Sequence, residues 1–180
     1  FFHGDEDAHL PGFARALSVV RCYNAMSAVV GAFGSGWTSI LDVRVVVDSD
    51  ALARVWLADG AVIPFEVNAD GSWTAQVRPR LALERIDTGW LLHDGPYDRW
   101  TFDADGVLTG STGRGYAVGV ERDEDVTLRD SCSGRWVTYE RADGRVRGVE
   151  TSDGRRCTYS YDGDGHLVRV DRAIGALAYE

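Results

Sequence analysis

The chain has 180 residues, 44% hydrophobic and 26% charged. That is ordinary for one globular unit, and long enough to bury about 70% of the surface an unfolded chain exposes. Its basic residues are all arginine, and against 28 acidic ones they leave a net charge of −9. Such a balance argues against a surface built to neutralise phosphates, so nucleic acid is not an expected partner. Cys22, Cys132 and Cys157 are odd in number and lack metal-type spacing, which disfavours a disulfide framework and a zinc site. They read as small buried hydrophobes, with Cys132 and Cys157 as candidate cross-strand neighbours. The best apolar run, 25–33, falls short of the roughly 20 residues of a membrane helix.

The chain opens Phe1-Phe2-His3, without Met or a basic segment leading into an apolar core, so no signal peptide is visible in it. It closes at Ala178-Tyr179-Glu180, in the middle of a repeating pattern, and we expect a piece of a longer polypeptide. Leu17–Arg21 reads as a strand and Asn24 as a turn. Gly31, Gly34 and Gly36 surround Phe33 and lead into Trp37. The spacing is not G-x-G-x-x-G and no Lys follows, so the segment reads as a tight loop with its backbone packed close, and not as a phosphate cradle.

From Ile40 onward short strands alternate with turns and no helix is expected. The strands are 42–47, 53–57, 62–67, 73–77, 81–86, 90–93, 97–102 and 107–108, with Asp59-Gly60, Asp70-Gly71, Thr88-Gly89, Asp94-Gly95 and Asp105-Gly106 between them. Strands of about four to seven residues at roughly ten-residue spacing indicate an all-β fold, a sandwich, barrel or curved sheet. Tyr116–Val120 and Val126–Leu128 pair across Asp123-Glu124-Asp125, and the acidic run 121–125 reads as a solvated hairpin tip.

The last third repeats itself. Gly134 to Asp153 and Gly154 to Ile174 each set Gly-Arg, a strand ending in Tyr139 or Tyr159, an Asp-Gly turn and a Val/Leu-rich return. The period is about 20 residues, the mark of stacked units that cannot bury an apolar face alone. Alternation around Asp143-Gly144 and Asp164-Gly165 makes each unit a β-hairpin. Gly95 and Gly115 fall on the same spacing, so weaker units can begin earlier. Tyr139, Tyr159 and Tyr179 occur once per unit, as a structural ladder would require.

Here the residues carry a resemblance. The unit formed by Gly154, Arg155, Tyr159, Tyr161, Asp162, Gly165, Leu167, Val170 and Gly175 resembles one YD repeat of the Rhs proteins. The upstream unit, with Gly134, Tyr139 and Gly144, is similar but has Glu140-Arg141 where Tyr-Asp is expected. In the first fifty residues, Leu10-Pro11-Gly12, then Arg21-Cys22-Tyr23-Asn24, then Phe33-Gly34-Ser35-Gly36-Trp37 resemble the opening of the domain that precedes those repeats; Ala8-His9 and Ala25 depart from it. The resemblance implies a pre-repeat β domain over 1–94 and degenerate, then recognisable, repeats over 95–180, as one continuous unit. It also implies a hollow β-shell, secreted or at the cell surface, that encloses or delivers a C-terminal toxin domain in interbacterial competition. The partners would be the rest of the same polypeptide and, in that setting, secretion machinery.

Chemistry-bearing motifs are absent. His3, His9, His93 and His166 have no nucleophile partners at a known spacing, and neither G-x-S-x-G nor H-E-x-x-H occurs. Asp162-Gly163-Asp164-Gly165 lacks the ligands that complete a calcium loop and reads as a turn. We therefore expect no catalytic residue, no metal and no cofactor. The alternative is a cell-surface glycan-binding or adhesion module using Trp56, Trp73, Trp90, Trp100 and Trp136, although strand aromatics more often fill a core. A further expectation is an unprotected last strand that frays or self-associates.

Overall fold

The computed structural model describes residues 1–180 apart from 13, 76, 173, 174, 179 and 180, and only the backbone of 175–178. Five strands come first: β1 (Phe2–Leu10), β2 (Leu17–Asn24), β3 (Val30–Gly31), β4 (Gly34–Ser35) and β5 (Trp37–Ser39). β1, β2 and β5 form a three-stranded sheet and β3 and β4 a small ribbon. The remaining strands are β6 (Arg44–Ser49), β7 (Leu52–Trp56), β8 (Val62–Val67), β9 (Trp73–Thr74), β10 (Leu81–Ile86), β11 (Gly89–Asp94), β12 (Asp98–Phe102) and β13 (Leu108–Gly113). They continue as β14 (Tyr116–Arg122), β15 (Val126–Asp130), β16 (Trp136–Ala142), β17 (Arg145–Thr151), β18 (Arg156–Tyr161), β19 (Leu167–Arg172) and β20 (Gly175–Ala178). These form one antiparallel 15-stranded sheet in which each strand pairs with the next along the chain. The all-β expectation holds. Among the described residues no helix is long and apolar enough to cross a membrane.

Two expected strands are corrected. Residue 42 does not begin a strand: Ile40–Asp42 is one 3₁₀ turn, because Ser39 and Asp42 cap each other's backbone reciprocally. The strand expected over 73–77 holds only Trp73–Thr74.

Most Asp-Gly pairs make one of two kinds of turn; at Asp94-Gly95 the Gly95 N–H instead donates to Arg80 O. At Asp143-Gly144 both residues have positive φ, 52° and 76°, the two-residue hairpin whose twist matches its strands. Elsewhere a five-residue loop recurs, with Gly in the left-handed region at its fourth position. Gly60 N–H donates to Leu57 O, Gly71 to Asn68 O, Gly106 to Asp103 O, Gly154 to Thr151 O and Gly165 to Asp162 O. The hairpins at Asp59-Gly60, Asp143-Gly144 and Asp164-Gly165 all form as expected.

Bulges curl the sheet. Register shifts leave one extra residue on the return strand of three hairpins, at Thr109, Arg147 and Val168, and a bulge bends its strand and increases the local twist. The first part of the sheet coils far enough that β6 meets the turn after β12. Val45 N–H donates to Gly106 O at 2.8 Å, and Arg44 bridges Val107.

Two cores result. One fills the coil of β6 to β13 with Val45, Val55, Phe65, Leu83, Trp90, Leu92 and Phe102. The other joins β1, β2 and the loop around Phe33 to the repeat hairpins through Val19, Phe33, Trp37, Val126, Val137, Tyr139, Val149, Tyr159 and Val170. The sheet itself runs unbroken through 94–95, with Trp90 opposite Phe102. The packing groups the N-terminal hairpin and the Phe33 loop with the last strands and not with β6 to β13.

Candidate functional site

β1 carries a bulge: its register against β2 shifts between Glu6 and Ala8. Strict alternation would turn Asp7 outward if Ala8 and Leu10 face the core. The bulge turns it inward as well, so Asp7 and Ala8 are both buried. A carboxylate in that position needs partners.

Its principal partner is Arg21, on the facing strand and 0% exposed. Arg21 Nε donates to Asp7 Oδ2 at 2.5 Å and Nη2 to Oδ1 at 3.0 Å, a two-pronged pairing. Asp5 adds a longer contact to Nη2 at 3.4 Å. The guanidinium carbon lies 4.4 Å from the ring centre of Trp37 and 5.6 Å from those of Phe33 and Tyr159, so the cation is covered by aromatic faces. The repeat hairpins complete the set. Tyr159 Oη donates to Asp7 Oδ2 at 2.8 Å, and Arg172 donates to Oδ1 through Nε at 3.0 Å and Nη2 at 2.5 Å. Two acids and two arginines thus balance across three strands, β1, β2 and β19, with Tyr159 joining from β18.

The rings follow the same plan. Phe33 meets Tyr159 edge-on at 5.0 Å and Tyr139 at 6.4 Å. Burial, then the nearby Asp7 charge, pushes both phenols upward in pKa. Tyr161 donates to Val146 O at 2.7 Å, and burial pushes its pKa up to about 12. Gly34 faces Tyr161 and Gly165 O so closely that a Cβ would overlap the carbonyl. Gly36 does the same against the Tyr23 ring, which packs 5.1 Å from Trp37. Asn24 closes the loop, its N–H donating to Gly36 O at 2.9 Å and its side chain accepting from Met26 N.

The repeated Gly-Arg now has a reason. Arg135 donates from Nη1 to Leu10 O at 2.8 Å and to Pro11 O, and from Nη2 to Arg15 O at 3.1 Å. Asp130, at 2.9 Å, and Ser133 hold it in place. Burial alone would raise the pKa of Asp130, but hydrogen bonds from Ser133, Arg135 and two backbone amides outweigh it and hold the carboxyl below its ordinary value. Gly12 lies against this guanidinium, leaving no room for a Cβ. One unit later, Arg155 Nη1 donates to His9 O at 2.9 Å. The glycine before each arginine, Gly134 and Gly154, has positive φ. Val146 N–H donates to Ala32 O at 2.9 Å and ties the Phe33 loop to β17. Leu167 is buried in the same core, and Gly175 begins β20 opposite Arg172.

The sequence motifs therefore meet: Arg21, Phe33, Gly34 and Trp37 face Tyr139, Tyr159 and Tyr161. Asp7, Arg135, Arg172 and Asp42 belong to the same contact and were not singled out by sequence. The duplicated Gly-Arg was a signal for Arg135; a lone acid on a strand gave none for Asp7. A third copy also went unread: Phe102-Asp103-Ala104-Asp105-Gly106-Val107-Leu108 matches Tyr161-Asp162-Gly163-Asp164-Gly165-His166-Leu167.

That copy bears on the calcium-like string. Asp103 Oδ1 accepts from the N–H of Asp105 and Val107, as Asp162 Oδ1 does from Asp164 and His166. Asp162, Asp164 and His166 have ligand atoms within 4.8 Å of one another, all exposed. Asp162 holds a turn that its counterpart forms without the histidine.

Several other expectations are settled. Cys132 and Cys157 are not neighbours: Cys132 is exposed in the turn after β15, while buried Cys157 faces Val149 and Arg172. Cys22 is half-buried, so only Cys157 fits the buried reading. Trp73 and Trp90 are buried edge to face at 5.6 Å, and Trp56, Trp100 and Trp136 are half-buried. His3, His9, His93 and His166 each sit beside a carboxylate. Tyr179 lies outside the described residues.

Residues 1–65 match a family model described as a domain of unknown function, DUF6531. No curated protein matches the chain. The matched segment supplies Asp7, Arg21, Phe33 and Trp37, one half of the buried contact.

Proposed function

We propose that these 180 residues are a wall segment, without catalysis of its own, of an Rhs/YD-repeat shell that encloses or delivers a C-terminal toxin domain. In this reading the N-terminal hairpin is an anchor that fixes where the repeat sheet begins and how tightly it curves. The observation that carries it is the interlock of the two motif sets. Residues resembling the pre-repeat opening contact residues resembling the repeat through one buried ion network and one set of arginine-to-carbonyl bonds. The repeated bulges support the curvature such a wall requires.

The test is to determine the gene sequence past residue 180 and to image the encoded polypeptide by electron cryomicroscopy. We expect many further Tyr-Asp hairpins winding into a hollow shell around a C-terminal domain. A stop within a few residues of Glu180, or an assembly without a lumen, would overturn the reading. A substitution of His93 or His166 that abolished a measured turnover would overturn the non-catalytic part of it.

A further inference from the structure

Many arginines of this chain face carboxylates, among them Arg54 on Asp48, Arg80 on Asp94, Arg156 on Glu140 and Arg169 on Asp171. Three that share one cleft do not. Among the described residues, the guanidinium groups of Arg122 at the end of β14, Arg141 on β16 and Arg145 at the start of β17 form neither an ion pair nor a hydrogen bond. All three line a polar cleft of about 290 Å³ between the Phe33 loop and the Asp143-Gly144 turn.

The acids of the cleft are already engaged. Asp42 Oδ1 accepts from Ala32 N–H at 2.9 Å, and Oδ2 from Ser39 N–H at 2.8 Å and Ser39 Oγ at 2.9 Å. Asp143 faces Arg147 at 3.6 Å. Even with both carboxylates counted, three guanidinium charges leave the lining net positive. Arginine does not relieve such crowding by losing a proton. Burial of Arg122, and then the like charge of Arg141, weigh against its charged form by more than the charges of Asp103 and Asp42 favour it. Arg145 is held with its guanidinium carbon 5.7 Å from the Tyr161 ring centre and packed against Gly165, so its fork is positioned beforehand.

We propose that this cleft binds a tetrahedral oxyanion of the phosphate or sulfate class, free or carried on an ester, with Arg122, Arg141 and Arg145 as donors. Planar guanidinium forks suit the paired oxygens of such a group, and a dianion offsets the repulsion that a single carboxylate would leave. The site is local, set in a chain whose overall charge repels anions, and it does not depend on the shell reading. Occupancy would tie the β14–β15 tip to the β16–β17 hairpin.

The test follows the arginine Nε–Hε resonances of the whole protein. They are recorded during titration with inorganic phosphate, sulfate and methyl phosphate, against sodium chloride at matched ionic strength. We expect saturable shifts at Arg122, Arg141 and Arg145. Arg122→Gln and Arg141→Gln should each weaken binding about tenfold, the loss of one charge-assisted hydrogen bond. Their side chains make no described hydrogen bond, so folding is not at stake. Arg80→Gln, at a remote exposed pair, should change nothing. Methyl phosphate binding as well as inorganic phosphate would assign the site to ester-borne groups, and its exclusion to free anions. Shifts no larger than those with chloride, or an equal loss on Arg80→Gln, would overturn the proposal.

Discussion

At the scale of single residues, the arrangement turns on a cost. A carboxylate and a guanidinium have been taken out of water, and removing one member of such a pair leaves an uncompensated charge, typically worth about 3–5 kcal/mol. Arg21→Met should therefore lower the unfolding free energy by roughly that amount. Tyr159→Phe, which keeps the ring against Phe33 but removes the donor to Asp7, should cost about 1–3 kcal/mol, measured by urea denaturation. Loss of less than a few tenths of a kcal/mol in the second variant would mean that Tyr159 is packing alone.

The phenols give a pH dependence. Tyr161 ionises near pH 12 in the folded chain, against about 10 in an unfolded one, and Tyr139 and Tyr159 are shifted the same way. Between the two values the folded state holds more protons than the unfolded, so stability falls as pH rises. Its phenol contribution is complete below pH about 10 and is lost as pH climbs through the folded values. Absorbance of tyrosinate should rise together with unfolding in that window. Titration of all seven tyrosines about one midpoint near pH 10 in a still-folded protein would contradict the buried ladder.

At the scale of elements, turn chemistry and alternation were legible. Asp-Gly pairs and period-2 runs located nearly every hairpin because both signals are local. The bulges were not, since an extra residue is visible only against the partner strand. For that reason the inward turn of Asp7 left no trace, and Arg21, though quoted as a motif residue, carried no sign of complete burial. The contact between β6 and Gly106 was equally hidden, joining segments some sixty residues apart. It yields a prediction. A Cβ on Gly106 would overlap Val45 O, and the residue has φ +78°. Gly106→Ala should cost about 1–3 kcal/mol and lower the melting temperature by several degrees. An unchanged melt would mean that β6 does not rest on this turn.

At the scale of the whole molecule, a long coil of hairpins is threaded between two segments that pack together. β1 reaches Tyr159 and Cys157 across a sequence separation of about 150 residues, so the second core can form only when the repeat hairpins exist. The N-terminal hairpin and the repeat hairpins should therefore be one cooperative unit, distinct from the coil of β6 to β13. Native-state hydrogen exchange on the whole protein and on Arg135→Ala tests this most directly, because that variant removes the bonds to Leu10, Pro11 and Arg15 and leaves the other core untouched. We predict that β1, β2 and β16 to β18 lose protection together while β7 to β11 keep theirs. Loss confined to β1 and β2, with the repeat hairpins as protected as before, would contradict the account and make the N-terminal hairpin an appendage.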